Sequence, residues 1–341
     1  MNMPETLYMV IPCYNEEDVL CETANQLREK YASLRSRSMI SPESRVVFVN
    51  DGSKDKTWEI IQELHTAEPE IFSGINLSHN CGHQNAVLAG LMTVKDICGV
   101  CITMDADLQD DLNAVDEMLE RFYEGNHVVY GVRSARKTDT FFKKFTAEAF
   151  YKFMKVMGAD VVYNHADFRL MSRRVLQELA EFREVNLFLR GMVPLIGFKS
   201  CSVYYERRER LAGESKYPLR KMISFAVNGI TSFSTKPLKL ITSLGFVMSI
   251  ISVFAFIWSF VVKITGASVV GWSSTICSIW LIGGLQLFCL GIIGEYVGKI
   301  YAEVKGRPRF IVEDFLNETG VEFINKDTKK DGIWQSPIGK K

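Results

Sequence analysis

The sequence predicts an α/β domain with a mostly parallel sheet and flanking helices, followed by a two-helix transmembrane hairpin. Over roughly the first 130 residues, short apolar segments alternate with helix-like segments, which is typical of strands joined by crossover helices. Further along, residues 240–262 and 264–294 form two runs without a charged side chain, separated by Lys263. These runs argue against a purely soluble enzyme.

Five strands and the helices between them account for the alternation. The first helix is expected to end at about Lys30, and the second to begin near Asp55 or Thr57, either of which can cap it. A third helix begins at Asn85. The predicted strands are Leu7–Ile11, Arg45–Val49, Ile71–Leu77, Gly99–Met104 and His127–Gly131. The polar segment from Glu313 is expected to form a C-terminal tail.

Both uncharged runs are long enough to cross a bilayer, because a transmembrane helix needs about 20 apolar residues. Two buried helices of a soluble bundle are the alternative, but core helices rarely run this long without a charge. Basic residues flank the pair on its outer sides, so the positive-inside rule places both termini in the cytoplasm. They are Arg207, Arg208, Arg210, Lys216, Arg220, Lys221, Lys236 and Lys239 before the first run, and Lys299, Lys305, Arg307 and Arg309 after the second.

The composition excludes two further classes of protein. Lys plus Arg and Asp plus Glu each number 40, and this balance argues against a generic nucleic-acid binder, which would carry a basic surplus. The chain has eight cysteines, but a reducing cytoplasm disfavours structural disulfides. Cys98 and Cys101 have the spacing of a redox pair, yet they lie in an apolar strand-like run, so we interpret them as core residues.

Polar motifs follow the first four predicted strands. They are Asn15 with Glu16, Asn50 with Asp51, Ser78–Gln84, and Asp105 with Asp107. Each motif alone could be an ordinary turn. Because ligands of open parallel sheets gather at the carboxyl ends of the strands, the four together predict a binding site at one sheet edge.

The acidic loop carries the clearest chemistry of the four motifs. Asp105, Asp107 and Gln109 offer two carboxylates and an amide, an all-oxygen set that suits Mg²⁺ or Mn²⁺ bound together with phosphate oxygens. The alternative, acids that complement a helix N-terminus, suits Asp110 and Asp111 better than Asp107. No glycine-rich dinucleotide fingerprint follows the first strand, and no Walker A lysine is present.

The ordered motifs resemble family 2 inverting glycosyltransferases, whose fold is the Rossmann-like GT-A fold. The residues that carry the resemblance are 12–17 (PCYNEE), 49–53 (VNDGS) and 105–107 (DAD). Residues 131–136, 167–171, 190–191 and 212–219, with two spans after them, are similar to the polyisoprenyl-phosphate glycosyltransferases of the bactoprenol glucosyltransferase type, relatives of dolichyl-phosphate mannose synthases. His79 departs from the pattern, since family members often have arginine there.

The resemblance implies roles for individual residues. Asp107 is expected to be the direct metal ligand, and Asp167 to position the sugar or act as a base, with a simple ion pair to Arg169 as the alternative. Donor-binding residues would be Pro12, Tyr14, Glu16, Asp51 and Asp105, and metal ligands Asp105, Asp107 and Gln109. The acceptor phosphate would contact Arg133, Arg136, Arg207, Arg210 and Lys216, with Arg133 also counted as catalytic. For the cluster from Arg207 onward, attraction to anionic lipid is the alternative.

The expected reaction transfers a hexose from a UDP-sugar to undecaprenyl phosphate at the inner membrane, for modification of a cell-surface glycan. Glucose is the expected hexose. UDP-GlcNAc, UDP-galactose or GDP-mannose as donor, and a non-catalytic nucleotide-sugar-binding scaffold, are the alternatives. The expected domains are a cytoplasmic catalytic domain at 1–216, an amphipathic juxtamembrane segment at 217–237, two transmembrane helices at 238–296 and a cytoplasmic tail at 297–341. Small residues at Gly283, Gly284, Gly291 and Gly294 would permit a homo-oligomer or close packing within one chain.

Overall fold

The structure is a computed structural model that describes residues 4–133, 165–185, 189–206, 231, 234–264, 271–317 and 320–323. Among these, the residues before position 207 and those from Pro308 onward form one compact unit, and the residues between them belong to a second. The predicted juxtamembrane helix at Tyr217–Ile230 lies outside the described residues.

The described part of the first unit contains one nine-stranded mixed sheet. Its strands run in the order β7-β5-β6-β4-β1-β2-β3-β8-β9. The strands are β1 Leu7–Cys13, β2 Arg45–Asn50, β3 Phe72–Leu77, β4 Val100–Thr103, β5 Val128–Arg133, β6 His165–Ser172, β7 Ser200–Tyr205, β8 Val312–Asn317 and β9 Gly320–Phe323. All five strands predicted from the sequence are present, with bounds that differ by one or two residues.

Helices connect the parallel strands β4-β1-β2-β3 at the centre of this sheet. They are α1 Leu20–Ser36, α2 Thr57–Ala67 and α3 His83–Val94, followed by α4 Ala114–Tyr123, α5 Arg173–Ala180 and α6 Leu189–Leu195. Cys13 pairs with Asn50, and Asn50 pairs with Asn76, so three strands end at nearly the same level. This register places the predicted polar loops at one edge of the sheet and confirms the mostly parallel α/β fold.

Four strands were not expected from the sequence. Strand β6 runs antiparallel between β4 and β5, and β7 runs parallel to β5. The register of β6, in which Thr103 pairs with Arg169, carries Asp167 to the end of β4. The acidic loop and the predicted acceptor-side carboxylate therefore share one part of the sheet edge.

The segment after the hairpin is part of the sheet rather than a detached tail. Strand β8 pairs antiparallel with β3, and β9 pairs with β8. Phe310, Val312, Phe315 and Leu316 are all buried, so the segment contributes apolar area to the core. The expected polar tail from Glu313 is corrected here, because apolar side chains between the acidic ones anchor the segment.

The second unit contains two long helices, α7 Lys236–Ile264 and α8 Trp272–Lys305. Helix α7 contains the whole first uncharged run, whereas α8 begins eight residues after the start of the second run and ends eleven residues beyond it. Large apolar side chains such as Trp258 and Leu281 are 72% exposed, as expected of helices whose solvent is lipid. Among the described residues, Leu281–Lys305 is long and apolar enough to cross a membrane, with a mean hydropathy of 1.5. At the base of the pair, the Tyr296 hydroxyl donates to the Ser234 carbonyl (2.5 Å).

Candidate active site

The loops after β1 and β2 are joined by hydrogen bonds between them. The Asn15 side-chain oxygen accepts from the Lys54 N–H (2.9 Å), and the Asn15 N–H donates to Ser53 Oγ (3.0 Å). Asn15 has a positive φ of 54°, a conformation that asparagine tolerates better than most residues. Next to this junction Pro12 is buried in β1, whereas the Tyr14 side chain is 44% exposed. Tyr14 thus offers an aromatic surface at the sheet edge.

Asp51 joins the loop after β2 to the loop after β3. Its Oδ1 accepts from the Cys81 N–H (2.7 Å) and its Oδ2 from the Gly82 N–H (3.0 Å). Burial raises the pKa of Asp51, and the two backbone hydrogen bonds lower it in part. Between them, Gly52 has a φ of 63°, and a Cβ there would lie 2.5 Å from the Asn80 nitrogen. Only glycine permits so close an approach of the two loops.

The acidic loop after β4 is held in an unusual conformation. Leu108 has a φ of 52°, although its side chain is buried in the core. A bulky residue in this region stores strain, and such strain tends to occur at functional sites. On either side, Asp107 Oδ1 accepts from the Gln109 N–H (3.2 Å), and the Ala106 carbonyl accepts from Thr23 Oγ1 (2.8 Å).

The carboxylate of Asp105 lies among other charges. Burial raises its pKa, His83 acts to lower it, and the carboxylates of Asp110, Asp167 and Asp107 add to the rise, so the pKa of Asp105 is about 6. Among the described residues, no three His, Cys, Asp or Glu side chains are grouped so that they could hold a metal by themselves. Mutually repelling oxygen donors nevertheless fit a divalent cation that shares its coordination with phosphate oxygens and water.

Asp167 is the centre of a cationic cluster. Its Oδ1 accepts from Arg169 Nη2 (2.8 Å) and from Arg190 Nε (3.1 Å), and its Oδ2 accepts from Arg190 Nη2 (3.0 Å). The His83 Nε2 lies 3.5 Å from Asp167 Oδ2 and 3.7 Å from Asp105 Oδ1. Burial acts to raise the pKa of Asp167, but His83, Arg190 and Arg169 together hold it well below its usual range. The ion pair with Arg169 considered in the sequence analysis is therefore present, within a larger cluster.

A second buried cluster fixes Arg133 at the end of β5. Its Nη2 donates to Asp110 Oδ1 (3.3 Å) and its Nε to the Tyr205 hydroxyl (3.3 Å). The Tyr205 hydroxyl in turn donates to the same Asp110 oxygen. Burial acts to lower the pKa of Arg133, but the negative charge of Asp110 outweighs it and raises the pKa, so the guanidinium stays protonated. The predicted phosphate-binding arginine is thus held by a carboxylate that the sequence analysis assigned to a helix end.

The structure brings together only some of the predicted site residues. The described ones, Pro12, Tyr14, Glu16, Asp51, Asp105, Asp107, Gln109, Arg133 and Asp167, all follow or lie near the carboxyl ends of strands. Arg136, Arg207, Arg210 and Lys216 lie outside the described residues. Sequence reasoning missed His83, which lies in the polar motif at 78–84 but was not singled out, and did not assign a role to Arg190. Both lie in motifs found in the sequence, but their contacts with Asp167 are defined only by the fold.

Comparison with known proteins agrees with this geometry. Residues 8–180 match the model for glycosyl transferase family 2, and residues 236–300 match the GtrB C-terminal hairpin. The chain is 50% identical over 313 residues to the uncharacterized glycosyltransferase YkoT of Bacillus subtilis (strain 168), covering 92% of this chain and 93% of that one.

Two further relatives carry a named activity. The SfII prophage-derived bactoprenol glucosyl transferase of Shigella flexneri is 37% identical over 308 residues, covering 89% of this chain and 96% of its own. The prophage bactoprenol glucosyl transferase homolog of Escherichia coli (strain K12) is 36% identical over 307 residues, covering 89% and 97%. These matches confirm the resemblance stated from the motifs, and the chain belongs to glycosyl transferase family 2.

Proposed function

We propose that this protein transfers glucose from UDP-glucose to undecaprenyl phosphate, with inversion at the anomeric carbon. One observation carries the proposal: the acidic loop and the Asp167 cluster meet at the carboxyl edge of a sheet whose chain continues into an apolar helical hairpin. Relatives named bactoprenol glucosyl transferase that match through both parts of the chain support the choice of sugar and acceptor.

The donor nucleotide would bind beside the loops after β1 and β2. Tyr14 is half-exposed and offers a ring on which the base can stack. Pro12 and Glu16 flank it, while Asp51 shapes the neighbouring loop through its bonds to Cys81 and Gly82. With both oxygens already accepting from the backbone, Asp51 supports the binding surface and keeps its remaining lone pairs for a base or ribose N–H or O–H.

Asp105, Asp107 and Gln109 would hold Mg²⁺ or Mn²⁺, which when bound neutralises the diphosphate leaving group. The raised pKa of Asp105 supports this assignment, because a carboxylate crowded by other carboxylates gains most from a cation. Arg133, fixed by Asp110 and Tyr205, supplies a permanent positive charge on the same edge. The bound metal ion and the Arg133 guanidinium would thus both stabilise the negative charge of the leaving group.

The acceptor needs little help from a base. A phosphomonoester has a second pKa near ~6, so at neutral pH it is mostly a dianion and already nucleophilic. Asp167 is a poor proton acceptor, because His83, Arg190 and Arg169 hold its pKa far below neutral. We therefore assign Asp167 to positioning: it orients Arg190 and His83, whose N–H groups can face the phosphate. Attack from the side opposite the diphosphate converts an α-linked donor into a β-linked product.

One assay tests the proposal. Full-length protein in lipid nanodiscs is incubated with undecaprenyl phosphate, Mg²⁺ or Mn²⁺, and one labelled donor at a time: UDP-glucose, UDP-GlcNAc, UDP-galactose or GDP-mannose. We expect a lipid product with the mass of undecaprenyl phosphate plus one hexose, from UDP-glucose only. Product from another donor would overturn the sugar assignment, and no product from any donor would favour a non-catalytic binding protein.

A further inference from the structure

Strand β8 follows the hairpin in the chain and pairs with the strand that leads into the donor side of the site. Asp314 pairs with Asn76 in the antiparallel register of β8 and β3. Beyond the strand, the Ile311 carbonyl accepts from the Ser78 N–H (3.0 Å), where the loop that carries Cys81 and Gly82 begins. The return segment therefore contacts β3 along its whole carboxyl half.

A line of side-chain hydrogen bonds crosses the sheet at this level. The Asn76 amide nitrogen donates to Glu313 Oε2 (3.3 Å) and, more weakly, to Asp314 Oδ2 (3.5 Å). The Asn76 oxygen accepts from the Asn50 amide nitrogen (2.8 Å), and the Asn50 oxygen accepts from the Ser53 N–H (3.2 Å). The line thus runs from β8 to the loop at 50–53 that precedes α2.

The direction of this line is fixed by chemistry at both ends. Carboxylates only accept hydrogen bonds, so the NH₂ group of Asn76 must face Glu313 and Asp314. Its oxygen then faces Asn50, which must present its own NH₂ and is left with an oxygen for the Ser53 N–H. No amide in the line can be reversed without placing two donors or two acceptors opposite each other.

The loop that receives the line is the one on which donor binding depends. Asn50 is 3% exposed, and an unmatched buried amide is costly, so it cannot turn to solvent for a replacement partner. Its neighbour Asp51 holds Cys81 and Gly82, and Gly52 lies against the backbone of Asn80. A shift of Asn50 would therefore be transmitted to both loops of the donor side.

We propose that Asn76 is a positioning residue through which β8, the strand that returns from the hairpin, holds the loop at 50–53 in the shape that binds the nucleotide of the donor. The inference rests on the proposed function, since it concerns the same donor side. Asn76 does not touch the reacting atoms. It acts through Asn50, and its effect should fall on donor binding alone.

The test is the isosteric change Asn76→Asp. It removes the donated hydrogen bond and sets a carboxylate against two others, while the acceptor facing Asn50 is kept. We expect UDP-glucose to bind about tenfold more weakly in isothermal titration, with a matching rise in donor KM. The KM for undecaprenyl phosphate and the kcat at saturating donor should stay within about twofold.

Rescue distinguishes positioning from general damage. Adding Glu313→Gln and Asp314→Asn to Asn76→Asp restores donors opposite the new acceptor, and donor affinity should return to near the wild-type value. The matched control is Asn25→Asp, the same change at an exposed site on α1, where the side-chain oxygen only accepts from Arg28. It should leave donor affinity unchanged.

Other results would overturn the inference. If Asn76→Asp binds UDP-glucose like wild type, or if donor and acceptor KM rise together and the triple variant does not recover, Asn76 is not a donor-positioning residue. If Asn76→Asp is too unstable to assay, the double variant Glu313→Ala with Asp314→Ala replaces it, because it removes the same hydrogen bonds from Asn76. Unchanged donor affinity in that variant would refute the inference. Wild-type protein that binds no nucleotide sugar would instead refute the proposed function.

Discussion

At the scale of single residues, two aspartates at this sheet edge differ in pKa because their surroundings differ. Asp167 is surrounded by cations and stays ionised, whereas burial, with a smaller contribution from neighbouring carboxylates, raises the pKa of Asp105 to about 6. The two lie on either side of His83, whose Nε2 is within 4 Å of an oxygen from each. Under the proposed function, Asp105 belongs to the part of the site that binds the metal ion, called the cation side, and Asp167 to the part that binds the acceptor phosphate.

Asp107→Asn tests the cation side. We expect transfer to fall by ~100-fold or more, because an amide oxygen is a weaker ligand than a carboxylate for a hard divalent cation. The Mg²⁺ or Mn²⁺ concentration for half-maximal activity should rise as well. Activity is measured by transfer of labelled glucose over a metal titration, and the fold by circular dichroism.

The control for Asp107→Asn lies in the same loop. Asp111 Oδ1 accepts from the Asn113 N–H (3.1 Å), and an amide oxygen can do the same. Asp111→Asn should therefore retain activity and metal dependence. Equal losses in the two variants, or wild-type turnover in Asp107→Asn, would contradict the assignment of Asp107 as a metal ligand.

The sequence predicted the position of a residue correctly where that position depends on its neighbours in the chain. The strand ends and their loops follow from apolar runs and turn residues, so Asp105, Asp107 and Asn50 could be placed at one edge. Asp110 could not be placed, since its burial depends on Arg133 and Tyr205, which are 23 and 95 residues away. A single sequence does not distinguish an acidic residue at a helix terminus from an acidic residue that is buried in an ion pair.

At the scale of elements, two of the strands that escaped prediction carry charged residues among their apolar ones. Strand β6 includes Arg169, which is 2% exposed and would argue against a core strand were it not paired with Asp167. Strand β8 interrupts its apolar residues with Glu313 and Asp314, which face Asn76. For β8 the compensating partner, Asn76, comes from a distant part of the chain, and in β6 Arg169 also donates to the Leu189 carbonyl (3.2 Å), so periodicity alone cannot supply these partners.

Helices α1 and α4 are tied by one acid between two bases. Asp116 on α4 accepts from Lys30 on α1 and from Arg37, the residue that follows the last turn of α1. Burial acts to raise the pKa of Asp116, but the hydrogen bonds from the two bases prevail and lower it. A carboxyl group whose pKa is lower in the folded state stabilises the fold above its unfolded pKa, and this stabilisation is lost as the pH falls through the folded pKa.

Asp116→Asn should therefore destabilise the protein by about 1–2 kcal/mol at pH 7. The deficit should shrink below about pH 5, where the wild-type carboxyl begins to take up its proton in the unfolded state. Thermal unfolding of the full-length protein in detergent, followed by circular dichroism from pH 7 to about pH 2.5, gives the comparison across the unfolded and folded pKa values of the carboxyl group. Glu117→Gln is the control, because the exposed Glu117–Arg121 pair should contribute little. A deficit independent of pH would show that Asp116 acts by packing alone.

At the scale of the whole molecule, one sheet contains strands from both sides of the hairpin. Strands β1 to β7 precede α7 in the chain, and β8 follows α8, yet β8 pairs with β3. A bilayer cannot divide a hydrogen-bonded sheet, so a chain that crosses the membrane between β7 and β8 must cross back to the same side. Two crossings satisfy this condition and one does not, which agrees with the match of residues 236–300 to a C-terminal hairpin.

The same connectivity predicts how the protein lies across its membrane. Cys21 is an exposed thiol on α1, and the basic residues on both flanks of the hairpin predict that this side faces the cytoplasm. A membrane-impermeant maleimide applied to spheroplasts should therefore label Cys21 only after permeabilisation. Ser268→Cys, in the connection between the helices, should be labelled in intact spheroplasts.

Ser336→Cys extends the test to the C-terminal segment, and it should behave like Cys21. Background from the other cysteines is measured in the parent protein and in a Cys21→Ser version of each variant. Labelling of Ser336→Cys from outside with Cys21 protected would require an odd number of crossings and would contradict the shared sheet. Labelling of Cys21 and Ser336→Cys from outside, with Ser268→Cys shielded, would preserve the hairpin but invert it. The donor side would then face away from the cytoplasmic nucleotide sugars that the proposed reaction consumes.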